Sequence, residues 1–344
     1  MEIPIQNIYY LLCYAWNKLE ERDIVDIEGI ETTELYDLFA KILIGGTSRL
    51  LKMGLDRGYI QQNEELSGVK GKIDFNYSLK RNLFRKAKAQ CQFDELSYNV
   101  LHNQILKSTL RRISEVDELA PDLKVQLTGL CRKLQEVDDT PLSKSIFSRI
   151  QLYRNNSFYE FLLKICELVF DNLLPTEQKG RSKFRDFVRD ERQMSSLFEE
   201  FVRNFFRIEQ NYYRVRRENI QWDISGGDID LLPMMQTDIS LESKDKKIVI
   251  DTKYYRDALS EHYDKKRIRQ ENMWQMYAYL KNLEPVSEIN RHCAGILLYP
   301  TVTKVLDEHF EIHGHSIDFK TINLNQNWRG IRKDLLAIAP LGLT

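Results

Sequence analysis

Asp238, Asp251 and Lys253 are the residues whose types and spacing point most directly to chemistry. Asp238 to Glu242 alternates polar and apolar residues, and Ile248-Val249-Ile250 is an apolar, β-branched run. The polar stretch Ser243-Lys244-Asp245-Lys246 lies between them, so the pattern predicts a β-hairpin. A turn centred between Lys244 and Asp245 sets Asp238 opposite Asp251, with Cβ atoms ~4.5–5.5 Å apart. Lys253 follows Asp251 on the same face because strand side chains alternate. The expectation depends on register, since a slip of one residue turns Asp238 to the other face. The turn also lacks the Asn-Gly or Asp-Gly that fixes a two-residue loop.

Two carboxylates that close repel unless a cation lies between them, and a hard divalent ion with oxygen ligands is the usual solution. Mg²⁺ needs few protein ligands, so Asp238, Asp251 and the main-chain carbonyl of Thr252 form a sufficient set. A lysine beside them can orient or help deprotonate a water, or stabilise charge on a phosphate, which together describes phosphodiester hydrolysis. The plain alternative is a solvated strand end, where Asp-x-Lys is common. Two neighbours favour chemistry. Gln275 and Tyr279, at i and i+4 of an expected helix, share one face. Upstream, the apolar helical stripe of 196–206 carries Glu199, the preferred third acid, with Glu200 as its alternative.

The elements that must position these residues form an α/β pattern from about residue 190: helix, strands 214–216 and 219–222, the hairpin, the Gln275 helix, a buried strand 293–300, edge strands 310–313 and 319–324, and a helix 328–337. This predicts a mixed sheet flanked by helices. Before it, helices are expected over 5–20, 33–53 (bent or ended at Gly45-Gly46), from Phe93 to about Ile113, and over 122–136. A small sheet is expected within 59–77. The aromatics Tyr9, Tyr10, Tyr14 and Trp16 are read as core in preference to a stacking surface. The segment 158–170 is apolar nearly all round and should be buried, and 176–183 is polar and expected to be mobile. The division expected is residues 1–150 as an N-terminal helical domain with a small sheet, and 151–344 as connector helices with the catalytic α/β domain.

Net charge is only −1, so nucleic-acid contact must come from local patches. Asp264 to Gln270 is the preferred backbone patch; Lys80 to Lys88 reads equally as a nucleic-acid or acidic-partner contact and as a solvated helix face. The odd set Cys13, Cys91, Cys131, Cys166 and Cys293 has no paired spacing, which fits free thiols and no zinc site. His313-Gly314-His315 lacks an obvious third ligand. No phosphate-binding loop occurs, so nucleotide hydrolysis is not expected of this chain. No stretch approaches the ~18 apolar residues of a membrane span, and a cytoplasmic protein is expected.

The order helix with Glu199, hairpin with Asp238 and Asp251-Thr252-Lys253, then helix with Gln275-x-x-x-Tyr279 resembles the PD-(D/E)xK nuclease superfamily in its RecB-like branch. Thr237 stands where that motif usually has proline. Over nearly its full length the chain also resembles the McrC family, the nuclease subunits of the McrBC modification-dependent restriction system. That resemblance rests on Ile5-Gln6-Asn7-Ile8-Tyr9-Tyr10-Leu11-Leu12-Cys13-Tyr14-Ala15-Trp16, Gly68-Val69-Lys70-Gly71-Lys72-Ile73-Asp74-Phe75, Phe93-Asp94-Glu95-Leu96-Ser97, the two halves of the hairpin, and Gly295-Ile296-Leu297-Leu298-Tyr299-Pro300. It implies a Mg²⁺-dependent endonuclease subunit that cuts double-stranded DNA carrying modified cytosine. It implies docking through the N-terminal part on a hexameric McrB-like AAA+ GTPase, which binds the GTP and whose hydrolysis this chain stimulates. A non-cleaving adaptor and a stand-alone repair nuclease are the alternatives.

Overall fold

Helix α1 (Ile5–Ala15) buries Ile5, Ile8, Leu11 and Leu12 together with Tyr9 and Tyr14; of the aromatics expected in the core these two are fully buried, while Tyr10 and Trp16 are half-buried. It ends at Ala15, and a 3-10 turn (Leu19–Ile24) follows in place of the expected helical continuation. The computed structural model describes residues 3–24, 34–152, 156–175, 182–184, 188, 190–255, 260–262, 265–301 and 306–340. The chain divides into two compact units, Met1–Thr33 with Asp186–Thr344, and Glu34–Arg185. The expected boundary near residue 150 therefore falls inside the second unit, and α1 belongs with the C-terminal part of the chain.

Within Glu34–Arg185, α2 (Leu35–Met53) runs straight through Gly45-Gly46. A Cβ on Gly46 would lie 2.3 Å from Leu162 Cδ2, so this glycine permits close helix packing and is no breaker. Strands β1 (Gly58–Leu66) and β2 (Lys72–Ile73), helix α3 (Phe75–Lys80) and strand β3 (Ala89–Ser97) follow. The three strands form one antiparallel sheet with β3 in the middle. The helix expected to begin at Phe93 is corrected here: Ala89, Cys91 and Phe93 alternate into a small core with Leu66 and Ile73, a period of two that the acidic pair Asp94-Glu95 disguised. Helix α4 starts only at Leu101 and runs to Ser114; in its first turn Asn103 Nδ2 bonds the Tyr98 and Asp56 carbonyls at 2.8 and 3.0 Å. Helices α5 (Pro121–Lys133), α6 (Lys144–Phe147) and α7 (Ser157–Asn172) complete the helical part, with the short pair β4 (Leu173–Pro175) and β5 (Ser182–Phe184). Phe161, Leu162, Ile165, Cys166 and Val169 of α7 are fully buried, packed against α2 and α4. That packing assigns the expected connector to this unit. Most of the 176–183 segment lies outside the described residues.

The other unit resumes with α8 (Glu191–Glu209), whose N-cap Asp190 accepts the Arg192 and Gln193 N–H groups. Its stripe of Met194, Phe198, Phe201, Val202, Phe205 and Phe206 is buried, each phenylalanine contributing ~1.5–3 kcal/mol over an exposed one. α1 packs along this helix. Strands β6 (Arg214–Arg216), β7 (Asn219–Ile220), β8 (Met235–Gln236), β9 (Ile239–Glu242) and β10 (Lys247–Thr252) lead to the small hairpin β11 (Ser260–His262) and β12 (Lys265–Arg267). Helix α9 (Gln270–Leu283), a short α10 (Glu288–Arg291), strands β13 (Ala294–Thr301), β14 (Asp307–Ile312) and β15 (His315–Asn323), and helix α11 (Trp328–Ile338) close the chain. The main sheet has six strands in the order β14-β15-β13-β10-β9-β6. The central pairs β10–β13 and β13–β15 are parallel and the outer ones antiparallel, so the unit is a mixed-sheet α/β fold as expected. Trp328 stacks on Tyr10 at 4.7 Å and lies against Tyr14 and Phe201. Asn7 donates to the Leu324 and Gln326 carbonyls at 2.8 and 2.7 Å.

Candidate active site

The hairpin that carries the two aspartates pairs Lys247 with Glu242, Ile248 with Leu241, Val249 with Ser240 and Ile250 with Ile239. Continuing that ladder sets Asp251 opposite Asp238, the register expected from the sequence. No Asn-Gly turn is needed, because Ser243 closes the loop: its N–H donates to the Lys246 carbonyl at 2.8 Å and its hydroxyl accepts the Lys246 N–H at 3.0 Å. Lys247, almost fully buried, adds a pin by bonding Glu218 at 2.9 Å; a slip would bury that ammonium without its carboxylate. Thr237, in the place of the usual proline, donates its N–H to the Glu218 carbonyl at 2.9 Å and accepts the Glu218 N–H on its hydroxyl at 3.0 Å.

Asp251 is fully buried. Lys253 Nζ donates to its Oδ1 at 3.2 Å. The same nitrogen lies 3.0 Å from Oδ2, outside hydrogen-bonding geometry, so Oδ2 is buried with no hydrogen-bond partner. Burial, then the charge of Asp238, push the Asp251 carboxyl up to about 7 against the pull of Lys253. Asp238 is oriented by Thr252, which donates both its N–H at 2.8 Å and its hydroxyl at 2.9 Å to Oδ2. Burial alone would lower the Lys253 ammonium, but Asp251 and Asp238 hold it above its ordinary range. Lys253 Nζ also donates to Gln275 Oε1 at 3.0 Å, Gln275 Nε2 to the Tyr279 hydroxyl at 2.7 Å, and Tyr279 to the Gln236 carbonyl at 2.8 Å. The i, i+4 face of α9 thus reaches the lysine, as its spacing predicts. Burial raises the Tyr279 phenol, which keeps it a donor.

Glu199 lies beside this arrangement, joined to it through Arg203. Its Oε1 accepts Arg203 Nη1 at 2.9 Å and is paired with Arg217, while Glu200 pairs with Arg203 Nη2. Arg203 Nη1 reaches the Asp238 carbonyl at 3.4 Å, and among the described residues Glu199 pairs with Arg203 and Arg217 rather than with the aspartate carboxylates. The sequence reading missed Arg203 and Arg217; the i, i+4 spacing of Glu199 and Arg203 was the available signal. Among the described residues no group of three or more His, Cys, Asp or Glu side chains gathers into a metal cage. A hard cation would here rest on two carboxylates, and the unpartnered Asp251 Oδ2 fits that role. His315 is buried with Nδ1 3.1 Å from the Cys293 carbonyl, while His313 occupies the turn at φ 49°. The 264–270 patch falls partly on residues outside those described: 265–267 form a strand of the small hairpin, and Arg269 caps α9.

A mixed sheet that brings two carboxylates and an amine to one strand end defines an α/β protein with a half-buried acid–acid–lysine site around the fully buried Asp251. The chain belongs to the family described as McrBC 5-methylcytosine restriction system component, which matches residues 6–300. It is 32% identical over 339 residues to the type IV methyl-directed restriction enzyme EcoKMcrBC of Escherichia coli K12, covering 98% of this chain and 97% of that protein. In fold it is similar to a chain in an assembly of Thermococcus gammatolerans McrB AAA+ hexamers with bound McrC, with TM-score 0.60 and 16% identity over 97% of this chain and 76% of the other. A second structure of the Thermococcus gammatolerans McrBC complex has TM-score 0.44 and 17% identity, covering 61% of this chain and 60% of the other. No helix among the described residues is long and apolar enough to cross a membrane.

Proposed function

We propose that this chain is the Mg²⁺-dependent endonuclease subunit of a modification-dependent restriction complex. The observation that carries the reading is the buried Asp251 carboxyl, with Oδ2 unpartnered, opposite Asp238 and beside Lys253. Asp238, Asp251 and the Thr252 carbonyl would hold the cation; when bound it supplies a Lewis acid that polarises a phosphodiester and offsets the paired negative charge. Lys253 has three donors; Asp251 Oδ1 and Gln275 Oε1 engage two, and the third is available to a water or a phosphate oxygen. Gln275 and Tyr279 fix the direction of that ammonium. The reading extends to the partner. The solved relative is an McrC bound to McrB AAA+ hexamers, and the curated one is methyl-directed. This chain would dock on a McrB-like AAA+ GTPase hexamer through Glu34–Arg185, stimulate its hydrolysis of GTP, and cut duplex DNA carrying 5-methylcytosine.

The test is cleavage of cytosine-methylated plasmid by this chain with the AAA+ protein, Mg²⁺ and GTP, each omitted in turn. Cutting is expected to need all of them. Asp251→Asn should lower it about a thousandfold, the rate equivalent of about 4 kcal/mol, and still stimulate GTP hydrolysis. Undiminished cutting by that variant would overturn the reading; stimulation without any cutting by the parent chain would make it an adaptor.

A further inference from the structure

Arg269, the residue preceding α9, holds an unusual position for a cation. Its guanidinium carbon lies 4.2 Å from the centroid of the Tyr255 ring. Nε is buried with no hydrogen-bond partner, and among the described residues no carboxylate pairs with this side chain. A guanidinium is always charged, and leaving one half-buried without a counter-ion is costly unless an anion arrives. The surroundings hold it in place. Tyr255 lies two residues beyond Lys253 and packs with Ile268 against the same core cluster as Val249 and Tyr299, which sets it on the Asp251 side of the sheet. The Tyr255 ring lies 6.2 Å from that of Tyr299, and the Tyr299 hydroxyl accepts Asn272 Nδ2 at 2.8 Å from the first turn of α9. Asp251 and Arg269 both act electrostatically on that hydroxyl.

We propose that Arg269, mounted on Tyr255, binds a backbone phosphate of duplex DNA next to the bond presented to Asp238, Asp251 and Lys253. The proposal rests on the nuclease reading and names how that site holds its substrate. A planar guanidinium can engage a phosphate through two parallel N–H donors without reading sequence. The fixed platform means little side-chain freedom is lost when it does so. Arg269 is thus a substrate-positioning residue rather than a metal ligand.

The experiment measures binding of a fluorescein-labelled duplex by the full chain in Ca²⁺ at several salt concentrations. It uses an Asp251→Asn background so that nothing is cut, and adds Arg269→Met, Arg269→Lys and Tyr255→Ala. Met keeps most of the apolar stem and loses the charge. Arg269→Met should weaken binding and lower the salt slope, log K against log salt, by about 0.9, the value of one phosphate contact. Arg269→Lys should keep the slope with weaker binding, and Tyr255→Ala should weaken binding with the slope intact. Unaltered thermal melting of each variant checks the fold. An unchanged affinity and slope in Arg269→Met, or no binding by the parent at low salt, overturns the assignment. Neither result touches the nuclease reading, which stands or falls on whether Asp251→Asn still cuts.

Discussion

A carboxyl buried beside a second carboxylate, with one oxygen that accepts no hydrogen bond, costs free energy that the neighbouring ammonium only partly offsets. Asp251 is in that state, and its neighbours are themselves engaged: Thr252 donates to Asp238, while Gln275 shares the Lys253 ammonium with Asp251. Gln275→Leu should therefore act through the lysine. Single-turnover cleavage by the complex is expected to slow about ten- to a hundredfold, as for a lost orienting partner, with DNA affinity unchanged. An equal loss in Tyr279→Leu, and a much smaller one in Tyr279→Phe, would show that the ring's position matters more than its hydroxyl; the reverse order would show that the bond to the Gln236 carbonyl carries the effect. Glu199→Gln should weaken Mn²⁺ binding, measured calorimetrically, far less than Asp251→Asn, because Glu199 faces Arg203 and Arg217. At this scale the aspartates, the lysine and the α9 pair were legible, since each lies on one periodic element. Arg217 and the Tyr255–Arg269 stack were not, because residues distant in sequence meet there only through the fold.

Elements are spaced here by glycines whose meaning the sequence does not announce. A Cβ on Gly295 would lie 2.6 Å from Met276 Sδ and 2.8 Å from its Cγ, so this residue sets how closely α9 approaches β13. Gly295→Val should cost about 1–3 kcal/mol by overpacking. It should also slow cleavage more than a core variant of equal stability, since Met276 adjoins Gln275; urea unfolding alongside kinetics gives the comparison. Gly46 plays the same part between α2 and α7. In sequence Gly46 resembles a break, because local propensity carries no record of a partner helix. The strand 89–97 was hidden for a related reason: half its residues face a core only three strands wide. Cys166, fully buried on α7, offers a test of that packing. Burial pushes its thiol from 9.0 up to about 12. As pH rises, the unfolded chain loses this proton first, so stability is full below about 9 and falls towards about 12, by at most ~1.4 kcal/mol per pH unit. Cys166→Ala should flatten that slope in urea titrations at pH 8 and 10; an unchanged slope would mean other groups carry it.

Taken whole, the chain separates two kinds of surface. Charge balances to −1 overall, and the acid–acid–lysine site belongs entirely to the unit of Met1–Thr33 and Asp186–Thr344. The unit Glu34–Arg185 has no such site among its described residues, yet it exposes Tyr59, Val69, Phe75 and Leu79 at 77, 71, 61 and 62%. Large apolar side chains so exposed on and beside a small sheet are the candidates for the proposed docking contact, and the nearby-in-sequence cations Lys80, Arg81, Arg85 and Lys86 are exposed as well. A separate compact unit in the first half of the chain was legible from its own core pattern. Its limits were not, because α1 joins the other unit by packing on α8, a contact that no local signal encodes. If docking and cutting reside in different units, they should be separable by substitution. Phe75→Ser with Leu79→Ser should lower stimulation of the partner GTPase by tenfold or so, the effect of about 1.4 kcal/mol of lost interface, and lower plasmid cleavage in parallel. Mn²⁺ binding at Asp238 and Asp251, and duplex binding by the isolated full chain, should keep their parent values. Loss of metal binding in that double variant, with the fold intact by thermal melting, would mean that the two units act as one site and that this division of labour is wrong.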